Sequence, residues 1–261
     1  MKNKVIGIIP ARMKASRFPG KPLAKIKGMP MIQHVFERAK MYRGWDQLFI
    51  ATCDKEIMNF AKQKNYPYIL TSKKHKRALD RVYEAASKIK NIKKNDIVLC
   101  VQADEPLVYP EMLENLVLKL KRNKVDGAVA AMQIIQKKQF LDPNIVKIIH
   151  KKNGEVLYTS RSPIPHNVRL NKDCHIAKRI HGMFSFRWHY LKKFYNTQES
   201  ILEQVESCDS NRICEIYGGQ YISYEKYKKT YSVDSKEDIK TVERLLSRDK
   251  LIQLYKDKNL I

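Results

Sequence analysis

The stretch IIPARMKASRFPGKPLAKIKG, Ile8 to Gly28, follows directly on an apolar run and places six cationic side chains and two glycines in one loop. An apolar run that feeds a basic, glycine-bearing turn is the pattern of a buried first strand whose carboxyl end opens onto a phosphate. Backbone N–H groups can approach the anion there, and the cations neutralise it. Arg12, Arg17 and Lys21 are spaced so that the loop can converge them on a triphosphate. Two familiar alternatives fail on the letters: there is no G-x-G-x-x-G for a dinucleotide and no G-x-x-x-x-G-K-[ST] for a Walker loop. A basic surface loop stiffened by Pro19 and Pro22 is the plainer reading of the same residues.

Outward from this loop, short apolar runs alternate with amphipathic ones. KVIGIIPA, DQLFIATC, YPYILTS and DIVLCVQADEP read as strands; MPMIQHVFERAK, KEIMNFAKQKN, ALDRVYEAASKI and PEMLENLVLKLKRN read as helices. That alternation predicts a doubly wound, Rossmann-like α/β fold with a mixed, mainly parallel sheet, binding its ligand at the carboxyl ends of the strands. After Gly127 the texture becomes β-rich, in GAVAAMQII, NIVKIIHKKNGEVLYTSR and KRIHGMFSFR, and Asn153-Gly154 predicts a type I′ hairpin turn. LKKFYNTQESILEQVESCDSN returns to helix, GGQYISYEKY to strand, and SKEDIKTVERLL closes as a helix. No Ser/Gly-rich linker divides the chain, so residues 1–261 are expected to form one domain, with a β-rich subregion over about 128–225 that covers a ligand or a second subunit.

At 261 residues and 43% apolar content the chain can bury a sizeable core. No run approaches the length of a membrane span, and the N-terminus lacks a signal-peptide layout, so a cytoplasmic protein without membrane contact is expected. Cys53, Cys100, Cys174, Cys208 and Cys214 are an odd set without a C-x-x-C pair and read as reduced thiols; a zinc site lacks its clustered ligands. The net charge of +24 invites a nucleic-acid reading. The lysines are spread along the whole chain, however, and no nucleic-acid-binding motif accompanies them. A non-catalytic nucleotide- or nucleic-acid-binding protein remains the alternative of another class. Steeply salt-dependent oligonucleotide binding without pyrophosphate release would mark it.

Two further motifs carry acids. VQADEP, Val101 to Pro106, ends an apolar strand, and a carboxylate there suits Mg²⁺ beside phosphate oxygens; Asp104 is the residue chosen, while Glu105 can serve as a helix-start acid. In YSVDSKED, Tyr231 to Asp238, the residues alone favour Asp234 or Ser235 as a helix N-cap over a metal ligand.

In order along the chain, the opening loop, VQADEP, DPNIVKII, LYTSRSPIP, HGMFSFR and VDSKEDI resemble the CMP-Kdo synthetases, the 3-deoxy-manno-octulosonate cytidylyltransferases, from about Val5 to Leu246. The resemblance implies transfer of CMP from CTP to the anomeric hydroxyl of an acidic ulosonic sugar, with release of pyrophosphate, for cell-surface polysaccharide synthesis. It implies that Ala11, Arg12, Arg17, Lys21, Arg81 and Gln102 hold CTP, and that Arg12, Lys21 and Asp104 act in catalysis. It further implies that Asp104 and Asp234 coordinate Mg²⁺, which reverses the capping preference for Asp234. Arg161, His181, Asp209 and Arg212 fall in the acceptor region. Family members are commonly homodimers; HGMFSF and SILEQVES are the candidate contact segments, with core packing the equal reading.

The sequence leaves the family pattern in three places. KRALD, Lys76 to Asp80, stands where the family has Ser-Gly-Thr-Glu before Arg81. Ile180 stands where it commonly has histidine, with His181 one place later, and a one-residue slip changes the face of a strand. CDSNR, Cys208 to Arg212, replaces Leu-Glu-Gln-Leu-Arg. The phosphate and metal machinery is therefore expected intact and the acceptor pocket altered, which leaves Kdo, another acidic sugar or a phosphonate as acceptor.

Overall fold

A computed structural model describes residues 3–14, 17–166, 168–169 and 176–256; Cys174 lies outside them. In chain order the strands are β1 (Val5–Ala11), β2 (Lys25–Ile26), β3 (Met29–Pro30), β4 (Gln47–Thr52), β5 (Tyr68–Leu70), β6 (Ile97–Val101), β7 (Gly127–Gln133), β8 (Lys147–His150), β9 (Val156–Ser160), β10 (Lys178–Arg187) and β11 (Gln220–Glu225). The helices are α1 (Met31–Lys40), α2 (Lys55–Gln63), α3 (Ala78–Ser87), α4 (Pro110–Asn123), α5 (Lys137–Leu141), α6 (Trp188–Asn196), α7 (Ile201–Glu206), α8 (Ser210–Ile216), α9 (Glu237–Leu246) and α10 (Gln253–Lys256).

The central sheet runs in the order β11, β7, β10, β6, β1, β4, β5. Every neighbouring pair along it is parallel except those of β10, which lies antiparallel between β6 and β7. All seven residues of β1 are buried, because a central parallel strand is covered on both faces and must be apolar throughout. Alternate residues along β1 and β6 enter opposite layers. Val5, Ile9, Leu99 and Val101 pack with α1 and α4; Ile6, Ile8, Val98 and Cys100 pack with α3 and α6. Val35, Phe36 and Ala39 of α1 are all buried, as their spacing predicts.

A third apolar cluster positions the ligand-facing end. Phe18, in the loop after β1, packs with Met31, Val233, Val242 and Leu246 and is only 5% exposed. Burying such a ring contributes roughly 2 kcal/mol. It pins the basic loop to α9 and to the irregular segment that precedes it.

Where the residues alone predicted a type I′ turn, the structure differs. Gly154 takes a positive φ of 90° and Asn153 does not. Gly154 N–H donates to Lys151 O at 2.9 Å and Lys151 N–H to Glu155 O at 2.7 Å, so the loop is the longer kind in which only the last residue is left-handed. The helical stretch after β10 divides into α6, α7 and α8; Ser200 closes a capping box with Glu203, and Ser207 ends α7 with φ 50°. HGMFSF is a core strand, its six residues buried, so it is not a surface contact. Cys53, Cys100, Cys208 and Cys214 are free thiols. No helix among the described residues is long and apolar enough to cross a membrane.

Candidate active site

The carboxyl ends of β1 and β6 open into a cleft, and the antiparallel β10 brings its beginning to the same edge, where Gln102 N–H donates to Gly182 O at 2.9 Å. The cleft has two lobes. The first, about 250 Å³, is walled by Ala11, Arg12, Lys21 and Ala78. The second, about 230 Å³, is walled by Arg161, Arg179, Ile180, Phe184 and Asp209. Arg17, Gln102, Asp104 and Asp234 belong to both and form the waist between them.

The basic loop is folded back on itself: Gly20, at φ 75°, donates its N–H to Met13 O at 2.9 Å, and a single 3-10 turn, Lys21–Leu23, follows. That turn aims Lys21 at the waist. Its Nζ donates to Asp104 Oδ2 and to Val233 O, both at 2.8 Å, and stands 3.9 Å from Asp234 Oδ1. Arg17 donates to Asp234 Oδ1 at 2.7 Å and also to Asn144. Burial and the neighbouring Asp104 carboxylate push the Asp234 carboxyl above its ordinary range, against the pull of Lys21 and Arg17. Partly exposed ion pairs of this kind contribute roughly 0–1 kcal/mol. Two carboxylates drawn to one ammonium are therefore no device for stability; the arrangement suits a site that takes up further cationic charge.

Asp234 is not a helix cap, and neither is Ser235. The carboxylate of Asp238 accepts both of their N–H groups, at 2.9 and 2.7 Å, which frees Asp234 to face the cleft. Asp104 Oδ1 is buried with no hydrogen-bond partner. Among the described residues no group of three or more His, Cys, Asp or Glu is placed to hold a metal. Two carboxylates, one with an unmatched oxygen, fit a hard divalent cation that completes its shell with water and phosphate oxygens.

Behind the waist lies a buried polar cluster. Glu105, 3% exposed, accepts from Gly182 N–H at 3.0 Å and from Ser232 Oγ at 2.7 Å, and its Oε2 lies 3.2 Å from His181 Nδ1. Burial alone would raise its carboxyl, but the His181 ring, the Ser232 hydroxyl and Arg179 bring it down to about 2. His181 Nε2 and Arg179 each meet the Thr230 hydroxyl, at 2.5 and 2.9 Å.

Three of the expected ligand residues stand elsewhere. Arg81 is 3% exposed and is spent on Thr71 and the Ser72 carbonyl, because α3 turns it beneath the loop rather than into the cleft. His181 is fully buried in the cluster just described, while its neighbours Arg179 and Ile180 both wall the second lobe. Arg212 is 3% exposed and holds Glu203 in a two-pronged pair at 2.6 and 2.8 Å. Arg161 and Asp209 do line the second lobe. Arg161 is steadied by Glu206 O at 2.8 Å and Pro143 O at 2.9 Å.

The sequence reading missed Arg179 and Lys147. Arg179 walls the second lobe at 4% exposure; a charged residue two places from His181 within an apolar strand was the available signal. Lys147 is fully buried and caged by the carbonyls of Asp142, Ile145 and Arg161 at 2.6–2.8 Å, where burial lowers its amine to about 8. Nothing local distinguishes it from the surface lysines.

A basic turn after the first parallel strand, facing two carboxylates at the carboxyl edge of the sheet, defines a nucleotidyltransferase of the doubly wound α/β class. Within that class, the family described as Cytidylyltransferase matches residues 6–222, and the chain belongs to it. It is 36% identical over 251 residues to the 3-deoxy-manno-octulosonate cytidylyltransferase of Thermodesulfovibrio yellowstonii, covering 93% of this chain and 98% of the relative. The enzyme of that name from Haemophilus influenzae (strain PittEE) is 34% identical over 253 residues, covering 93% and 98%. A solved structure of CMP:2-keto-3-deoxy-manno-octonic acid synthetase complexed with CTP superposes with a TM-score of 0.84 at 29% identity, over 94% of this chain and 99% of that one.

Proposed function

We propose that this protein transfers CMP from CTP to the anomeric hydroxyl of 3-deoxy-manno-octulosonate, or of a closely similar acidic sugar, and releases pyrophosphate for cell-surface polysaccharide synthesis. The observation that carries the reading is Lys21, within 4 Å of both Asp104 and Asp234 at the waist between two lobes. One lobe carries Arg12, Arg17 and Lys21, a charge suited to a triphosphate, and the other presents Arg161 to a carboxylate.

In the reaction the anomeric oxygen bonds to the α-phosphorus as its proton passes to solvent, the α–β anhydride bond breaks, and pyrophosphate departs from the opposite side. Arg12, Arg17 and Lys21 hold the triphosphate and gain strength as charge moves onto the leaving group, and Gln102 and Ala11 border the nucleotide. Asp104 and Asp234 would hold a divalent ion, Mg²⁺ by the chemistry of its preferred ligands, which when bound supplies charge neutralisation at the phosphates. Among the described residues no histidine lines either lobe. Arg161 and Asp209 orient the acceptor. The altered segments 76–80 and 208–212 favour a second reading in which the acceptor is a variant of the sugar.

The reading extends to a cytoplasmic homodimer, with residues 128–225 carrying acceptor and subunit contacts. Ile201 and Val205 of α7, one helical turn apart, are 72% and 76% exposed, and Ile216 of α8 and Leu157 of β9, elements that pack together, are each 48% exposed. Exposed apolar side chains on elements that pack together suit contact with a second copy.

Pyrophosphate release tests the proposal: the four nucleoside triphosphates are assayed against Kdo, other acidic sugars and phosphonates. Turnover with CTP and Kdo is expected. Turnover only with another acceptor would establish the second reading, and none with any pair would overturn both.

A further inference from the structure

Asp234 sits on a segment with no ladder of its own. Between the end of β11 at Glu225 and the start of α9 at Glu237 there is no regular structure, so individual hydrogen bonds must decide where this carboxylate stands. Asp238 holds the N–H groups of Asp234 and Ser235 from α9 and Lys21 holds Val233 O, while three further ties lead to the turn that carries Asp104 or to the strand beside it. Val233 N–H donates to Asp104 O at 2.9 Å. The Thr230 hydroxyl meets Arg179 and His181 of β10. The Ser232 hydroxyl donates to Glu105 at 2.7 Å.

We propose that Glu105 is a positioning residue which, through Ser232, sets the spacing of Asp104 and Asp234 and thereby the affinity of the waist for a divalent cation. Glu105 is the chain neighbour of one aspartate, and Ser232 is two residues from the other. The Ser232–Glu105 hydrogen bond therefore spans the two arms of the site, beside the one from Val233 N–H to Asp104 O. Glu105 also accepts from Gly182 N–H at 3.0 Å, which locks its own orientation to β10. Both of these donors reach Oε1, and Oε2 faces His181 Nδ1 at 3.2 Å, since a carboxylate at 3% exposure is costly without such partners. The donors to Glu105 come from the two elements that must be held in register, the strand edge and the Asp234 segment.

The inference rests on the reading that Asp104 and Asp234 hold the metal, and the experiment separates the two. Mn²⁺ serves as a paramagnetic probe of direct binding to the full chain in the presence of CTP without acceptor. The variants are Ser232→Ala, Ser232→Thr, Glu105→Gln, Asp104→Asn and Asp234→Asn, each with a thermal midpoint. Ser232→Ala and Glu105→Gln are expected to weaken Mn²⁺ about 10-fold, and Ser232→Thr, which keeps the hydroxyl, to stay within about 2-fold of the parent, as outer-sphere partners of metal ligands behave. The Mg²⁺ concentration for half-maximal turnover should rise in step. Should Glu105→Gln fail to fold, Ser232→Ala and its threonine rescue decide alone. If Ser232→Ala loses only thermal stability and binds Mn²⁺ as the parent does, while the aspartate variants lose it, the positioning role is wrong and the metal reading stands. If the aspartate variants still bind Mn²⁺ as the parent does, both fall.

Discussion

The backbone N–H of Leu79 donates to the carboxylate of Asp209 at 3.2 Å, which joins the start of α3 beside the first lobe to the wall of the second. The same two segments are linked again by Arg212 and Asp80, at 3.3 Å, and Arg77 reaches across to Glu199 at 2.6 Å and the Glu203 carbonyl at 3.1 Å. Residues 76–80 and 208–212 are two of the places where the sequence leaves the family pattern. They touch each other, so these departures form one rebuilt contact.

Asp209 is the titrating member of that contact. Burial, with Glu203 close by, pushes its carboxyl up from 3.8 to about 6. A carboxyl raised in the folded state binds more protons folded than unfolded between those values, so it removes stability as pH climbs through that window and the full loss is present above it. Asp209→Asn keeps an acceptor for Leu79 and removes the charge. Its thermal midpoint relative to the parent should therefore rise between pH 4 and pH 7 by roughly 5–10 °C, the shift of about 2–3 kcal/mol in a chain of this size. A difference that stays flat across this range, read by scanning calorimetry, would contradict the assignment.

Lys21→Met separates function from stability. Its ion pair with Asp104 involves side chains 15% and 25% exposed, so its loss should cost no more than about 1 kcal/mol. The ammonium facing the triphosphate is a different matter: kcat/KM for pyrophosphate release should fall by about 10²–10³. Steady-state kinetics and a melting curve on one preparation check both halves.

Gly182 is held by close approach. A methyl group there would stand 2.8 Å from Gln102 Oε1 and 2.9 Å from Glu105 Oε1. Gly182→Ala should displace both side chains and lower kcat/KM by about 10²-fold, the cost of moving reacting groups by an ångström or so. Retention of parental turnover would show that the cluster behind the waist tolerates displacement.

Ile201→Glu combined with Val205→Glu tests the proposed dimer surface. Both positions are exposed, so the fold should persist, and sedimentation velocity should show dimer for the parent and monomer for the variant. A parent that sediments as a monomer removes the dimer from the reading.

The elements most legible in the sequence were those whose period carried its own evidence: the apolar β1, the i, i+4 stripe of α1, and the strand that ends at Val101. The small β2–β3 hairpin, α5 and α10 are too short to show a period, and the longer helical stretch gave no sign of breaking at Ser207. Residue roles separated in the same way. Arg12, Lys21, Asp104 and Asp234 stand in or beside quotable motifs, and they do meet. Arg81, His181 and Arg212 stand in or beside them too, and the fold turns them inward onto Thr71, Thr230 and Glu203.

The chain by itself determined the α/β alternation, the basic turn after the first strand and the family, because local period and ordered motifs are properties of consecutive residues. Tertiary structure alone decided that Lys21 serves two aspartates 130 residues apart in sequence, that Glu105 ties their supporting segments together, and that Asp209 answers to Leu79. Each of these depends on which side chains a crossover brings within hydrogen-bond reach, and no spacing along one stretch encodes that distance.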